Sequence, residues 1–103
     1  MLEEMLQQAQ DVQKKIKQIQ EELDDTEVIG EAGAGAVRVT MDAKGLIKSI
    51  KIDKESFATE KIEVLEDLIV AAIQDAKKKS DNAFTEKITE IGLPPDLLKN
   101  MFQ

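Results

Sequence analysis

A chain of 103 residues, 42% hydrophobic and 34% charged, fits one small domain, and with no Trp, no Tyr and three Phe its core is aliphatic. The lack of Cys and His removes disulfides, thiolate chemistry, the commonest general base and the commonest metal ligand. The net charge of −7 favours solubility and argues against nucleic acid, which prefers a basic surface, but it is uneven: residues 1–31 sum to −6, 32–54 to +3 and 55–103 to −4. No apolar run approaches the roughly 20 residues of a transmembrane helix. The acidic start Met-Leu-Glu-Glu-Met lacks a signal peptide's basic region, so a cytoplasmic protein is expected.

In chain order, the first element is a helix. Leu2, Met5, Ala9, Val12, Ile16, Ile19 and Leu23 are separated alternately by 3 and 4 residues, a heptad seam over three heptads. The remaining faces carry Gln, Glu and Lys, good helix formers, and the helix should end near Asp24-Asp25-Thr26. So narrow a stripe needs a partner, a helix of the same chain or of another copy. Residues 26–31 read as a short strand. Val37, Val39 and Met41 alternate with Arg38 and Thr40 in a second. Asp42-Ala43-Lys44-Gly45 is a turn. In a third strand Leu46, Ile50 and Ile52 share one face, with Ile47 on the other beside Ser49 and Lys51.

A second long helix begins near Thr59 or Glu60, with Ile62, Leu65, Leu68, Ile69, Ala72, Ile73 and Ala76 on a wide apolar face, continued more thinly by Ala83, Phe84, Ile88 and Ile91. Gly92 suits its end and Pro94-Pro95 forbids continuation. The predicted class is α+β: a long N-terminal helix, a small antiparallel β-meander and a long C-terminal helix. Residues 1–92 form one domain, and 93–103 are a tail whose Leu97, Leu98, Met101 and Phe102 suit docking or mobility. Two such helices cannot wrap compactly around a small sheet. An elongated homodimer is the simplest closed solution, with Val37, Val39, Ile50, Ile52, Leu65, Leu68 and Ile69 as candidates for the core and the contact between copies.

The stretch Gly30-Glu31-Ala32-Gly33-Ala34-Gly35-Ala36-Val37 imitates a phosphate-binding loop. A Walker loop needs Lys and a hydroxyl after its last Gly, and neither is present. A dinucleotide fingerprint needs G-x-G-x-x-G before a helix; here the order is G-x-x-G-x-G before a strand. These glycines read instead as backbone that turns sharply or passes close to a neighbour. The carboxylate pairs Glu21-Glu22, Asp24-Asp25 and Glu66-Asp67 diverge by about 100° on a helix and do not converge on a metal or a substrate. No constellation supports an enzyme, and no cofactor, metal or small-molecule substrate is expected.

The Gln-rich amphipathic helix, the run Gly33-Ala34-Gly35-Ala36-Val37-Arg38-Val39-Thr40, the Ile52-Asp53 pair, the run Glu66-Asp67-Leu68-Ile69-Val70-Ala71-Ala72 and Leu93-Pro94-Pro95 come in an order that resembles the YbaB/EbfC family of bacterial nucleoid-associated proteins. The resemblance covers nearly the whole chain. The family's L-P-P-G is Leu93-Pro94-Pro95-Asp96 here. It implies a tweezers-like homodimer in the cytoplasm, associated with the nucleoid. It also implies binding to double-stranded DNA with little sequence specificity, altered DNA conformation, and effects on nucleoid organisation and gene expression. Candidate phosphate contacts are Lys14, Lys15 and Lys17 with Gln13 on the first helix, and Lys77, Lys78, Lys79 and Lys87 on the second. A third group, Arg38, Lys44, Lys48, Lys51 and Lys54, reads as well as the solvated face of a hairpin. The competing reading is a coiled-coil interaction module of prefoldin type, which needs a second helix that mirrors the first seam.

Overall fold

The first helix forms where the heptad seam places it. A computed structural model, which describes residues 1–58 and 61–91, shows α1 over Leu2–Asp25. Glu3 and Glu4 sit in its first turn, where the helix dipole favours carboxylates. At its end Thr26 donates its backbone N–H (3.0 Å) and its hydroxyl (2.6 Å) to the Glu22 carbonyl, and its extended backbone (φ −85°, ψ 120°) sends the chain directly into a strand.

Three strands come next, β1 (Glu27–Ala32), β2 (Val37–Asp42) and β3 (Ile47–Ile52), in an antiparallel sheet of order β1-β2-β3. The glycine run is the β1–β2 turn. Gly33, Ala34 and Gly35 all have positive φ (65°, 57° and 88°), and Ala36 N–H closes the turn on the Gly33 carbonyl at 3.2 Å. Two glycines relieve a backbone path that costs an L-residue roughly 1–2 kcal/mol, leaving Ala34 alone to bear it.

The third strand departs from simple alternation. Val37 pairs with Ile52, Val39 with Ile50 and Thr40 with Ser49, but the register then slips and Met41 pairs with Ile47. Lys48 is the extra residue of this bulge. Directly paired residues share a face. The bulge therefore moves Ile47, not Leu46, onto the face of Val37, Val39 and Met41, reversing the assignment made from alternation.

After a single 3₁₀ turn at Glu55–Phe57 the second long helix, α2, spans Ile62–Ile91. Its 30 residues reach about 45 Å at 1.5 Å per residue. Asp53 bonds the Glu55 N–H (3.2 Å) and the Ser56 hydroxyl (2.9 Å), which sets up the 3₁₀ turn that hydrophobic periodicity does not reveal. Ala72 and Ala76 press α2 onto Val37, Val39 and Met41, with Val28, Ala32, Leu65, Leu68, Ile69 and Ile73 around them. The approach is close because β1 has Gly30 there: a Cβ at Gly30 would collide with the Ala72 carbonyl and the Ala76 backbone nitrogen. A second cluster, Ile19, Leu23, Ala43, Phe84 and Ile88, ties α1 to the far half of α2.

Asp42 joins these parts. It is 1% exposed, and one carboxylate oxygen accepts the Lys44 and Leu46 N–H groups at 2.9 and 3.0 Å. Its carbonyl accepts the buried Ser80 hydroxyl at 2.7 Å. The neighbouring Ala43 N–H bonds the Leu23 and Thr26 carbonyls. From this junction both helices run away from the sheet, antiparallel, and the molecule measures 71 × 20 × 19 Å. The elongated α+β shape agrees with the sequence pattern. The tail 93–103 lies outside the described residues.

Candidate nucleic-acid interface

A cation offers itself to phosphate only if no carboxylate already holds it. Six of the basic side chains are held within the chain. Arg38 pairs with Glu31 (3.1 Å), Lys44 with Asp24 (2.9 Å), Lys48 with Asp42 (3.7 Å), Lys77 with Asp81 (3.1 Å), Lys79 with Asp75 (3.1 Å) and Lys87 with Glu90 (4.0 Å). Among the described residues, Lys14, Lys15, Lys17, Lys51, Lys54, Lys61 and Lys78 make no ion pair.

The second-helix group therefore divides. Lys79 also donates to the Ile29 carbonyl at 2.8 Å, while the Asp75 carboxylate accepts the Glu31 N–H at 2.9 Å. These two side chains clamp the outer edge of β1. The Glu31 N–H and then the Lys79 ammonium hold the Asp75 carboxyl below its usual value. Lys79 is thus fixed to the sheet. Lys77 lies over the β2–β3 turn, with its ammonium 2.9 Å from where a Cβ on Gly45 would be. Only Lys78 of this run, exposed and unpaired, points to solvent uncommitted.

The first-helix group is uncommitted throughout. Gln7, Gln10, Lys14 and Lys17 are spaced 3, 4 and 3 apart and form one exposed stripe about 15 Å long. The stripe lies on the side of α1 turned away from Ile19 and Leu23, which are buried. Gln13 sits at its edge and Lys15 on the opposite flank, beside Asp11 and Glu22. Long donors on a convex rod suit the phosphates of a duplex, where position is fixed without reading bases.

The apolar candidates divide as well. Val37 and Val39 are fully buried within the chain, and Leu65, Leu68 and Ile69 are half-buried against them. Ile50 and Ile52 are on the same sheet face but 43% and 38% exposed, as is Ile47 at 41%. The reason is where α2 sits: it packs on β1 and β2 and stops short of β3. Asp75 and Lys79 hold the β1 side of α2, so Ile69 and Ile73 line its other side, toward β3. The isoleucines of β3 are thus left uncovered by α2, and Ile62 near the start of α2 is itself 70% exposed.

Sequence reasoning placed Asp42 at the start of a turn, so its Asx geometry was legible but its burial was not. The i, i+4 spacing pairs Asp75 with Lys79, as the structure has it, but gives no sign of the β1 edge that both hold. No group of three or more His, Cys, Asp or Glu side chains among the described residues is arranged to hold a metal, and no described helix is long and apolar enough to cross a membrane.

A family model, the YbaB/EbfC DNA-binding family, matches residues 1–93. A nucleoid-associated protein of Rhodospirillum rubrum is 45% identical over 98 residues, covering 91% of this chain and 92% of that protein. One of Dictyoglomus thermophilum is 41% identical over 98 residues, covering 91% and 94%. The crystal structure of an uncharacterized protein from Helicobacter pylori shares the fold, with a TM-score of 0.70 at 18% identity over 84% of this chain and 91% of that one.

Proposed function

Because the chain belongs to the YbaB/EbfC DNA-binding family, we propose that it binds duplex DNA as a homodimer, with little sequence preference, through phosphate contacts from the α1 arm. The observation that carries this reading is the exposed Gln7–Gln10–Lys14–Lys17 stripe on α1, which among the described residues has no carboxylate partner. Binding led by phosphates lets a protein coat or bridge duplexes and change their shape. The names of the relatives, nucleoid-associated proteins, support a place at the nucleoid, where such binding would bear on nucleoid organisation and gene expression.

The homodimer rests on the uncovered face of β3. Its three isoleucines, Ile47, Ile50 and Ile52, are left open on one strand, an exposed apolar surface of the kind that marks an interface. The clamped β1 edge leaves β3 as the open side of the sheet. The prefoldin-type alternative receives less support, because among the described residues the buried contact between α1 and α2 joins only Ile19 and Leu23 to Phe84 and Ile88.

The test is titration of a labelled random-sequence duplex at two salt concentrations. Micromolar or tighter binding that weakens steeply with salt is expected. No binding at low salt would overturn the proposal and put the interaction-module reading in its place.

A further inference from the structure

α2 packs on one face of the sheet, and the other face is polar. Glu31, Arg38 and Lys51 pair in a row across the three strands, with Ile29, Thr40 and Ser49 in the row beside it. Arg38 and Lys51 stand directly opposite each other, an arrangement of like charges that costs stability. Glu31 takes up the charge of Arg38 (3.1 Å), whereas Lys51 is exposed and makes no ion pair, and so is Lys54 just past the strand. The Thr40 and Ser49 hydroxyls are half-buried and make no hydrogen bond among the described residues. The uncovered isoleucines of β3 lie on the reverse face, so a dimer formed through them leaves this one open.

We propose that this outer face of the sheet, centred on Lys51, is a second phosphate-binding site, engaged by the same duplex as the Lys14–Lys17 stripe and one helical turn further along it. The inference rests on the duplex-binding reading above and adds to it a second site and a minimum length of DNA. The first support is direction. On α2, the residues packed on the sheet and those packed on α1 have mean directions about 80° apart, at about 100° per residue. The sheet and α1 therefore lie on one half of the circumference of α2. The stripe faces away from α2 on α1, and the Lys51 row faces away from α2 on the sheet, so both look out from the same half of the molecule.

The second support is distance. Ile19 and Leu23 lie at the level of Phe84 and Ile88, Gly30 between Ala72 and Ala76, and Gly33 at Leu68. The register puts Arg38 and Lys51 level with Glu31, between those two glycines. Counted along the antiparallel helices, the midpoint of Lys14 and Lys17 is then about 30 Å from Lys51. B-DNA returns the same strand to the same side every 34–36 Å or so, and flexible lysine side chains cover the difference. Between the two sites Glu21, Asp25 and Glu27 are exposed, where a duplex in this position turns a groove toward the protein rather than a backbone.

The test compares random-sequence duplexes of about 24 and about 10 base pairs, the shorter being one turn and unable to span both sites. Lys51→Ala with Lys54→Ala removes two exposed, unpaired charges, so helicity by circular dichroism should not change. On the longer duplex the slope of log affinity against log salt should become shallower by about 1.8 for each chain engaged, roughly 12-fold in affinity between 50 and 200 mM salt. On the shorter duplex the change should be less than half of that, and Lys51→Arg with Lys54→Arg should keep the parent's slope on both. An unchanged slope on the longer duplex, with the parent binding normally, would overturn the second site and leave the duplex-binding reading standing. An equal fall on both lengths would overturn the one-turn span. Absence of binding by the parent itself would overturn both.

Discussion

The division between held and free lysines gives a prediction in the slope of binding against salt. Each phosphate neutralised on B-DNA contributes about −0.9 to the slope of log affinity against log salt. Changing Lys14, Lys15 and Lys17 together to Ala removes the two stripe contacts, Lys14 and Lys17, of each chain, Lys15 lying on the opposite flank, so the slope should become shallower by about 1.8 for each bound arm. Between 50 and 200 mM salt the parent protein should then lose roughly 12-fold more affinity than the variant. Alanine is the better helix former and none of the three lysines has an ion-pair partner, so helicity and oligomeric state should not change. The matched control is Lys77→Ala with Lys79→Ala, which removes two charges that Asp81, Asp75 and the Ile29 carbonyl already hold. Its slope should stay close to the parent's. Fluorescence anisotropy across a salt series, with circular dichroism for helicity, measures both. An unchanged slope for the α1 variant, or an equal fall for the α2 control, would show that ion pairing within the chain does not select the lysines that face DNA.

The packing sets three further outcomes. Gly30→Ala should lower the urea midpoint by an amount equivalent to about 1–3 kcal/mol, because its Cβ meets helix backbone rather than a movable side chain; an unchanged midpoint would mean that α2 does not pack this closely on β1. Ile50→Asp should leave a folded chain that sediments as a monomer, whereas Val39→Asp should abolish cooperative unfolding altogether; a normal dimer from Ile50→Asp would remove the uncovered face of β3 from the interface. Asp75, whose folded pKa is depressed, adds stability that is present above its unfolded value of 3.8 and is lost as pH falls through the lower folded value. Denaturant midpoints of the parent and Asp75→Asn should therefore differ at pH 7 and converge as pH falls below the folded value; a constant gap would show that the clamp on β1 does not act through this charge.

The parts legible in the sequence are those governed by period. The heptad seam placed α1, alternation placed β2, and turn residues placed both hairpins, because each depends on neighbours a few positions apart. What escaped depends on contacts across the fold. The bulge at Lys48 is set by pairing with Met41, and it alone determines that Ile47 joins the apolar face. Apolar content marked Ile50 and Ile52 for the core or the contact between copies, but whether a helix of their own chain covers them is a matter of where α2 lands, and α2 is drawn toward β1 by Gly30, Asp75 and Lys79. The lysine runs looked equivalent for the same reason, since Asp75 lies four residues from Lys79 whether or not a strand edge lies beneath them both.

The difference between the two lysine runs explains how a chain of net charge −7 can carry a surface for a polyanion. Net charge governs the long-range field, which falls off over a Debye length of about 8 Å at physiological salt. The body of the molecule uses its acids locally: Glu31, Asp24, Asp42, Asp81 and Asp75 neutralise Arg38, Lys44, Lys48, Lys77 and Lys79 and fasten turns and strand edges in doing so. α1 from Gln7 to Lys17 projects beyond that body, and Asp11 is the single acid in the span. At the tip of a 71 Å rod the acids of the sheet end are several Debye lengths away. A phosphate approaching the middle of the stripe therefore meets Lys14 and Lys17, with Glu3 and Glu21 at the stripe's two ends, rather than the −7 of the whole, and the separation of arm from body makes the two compatible.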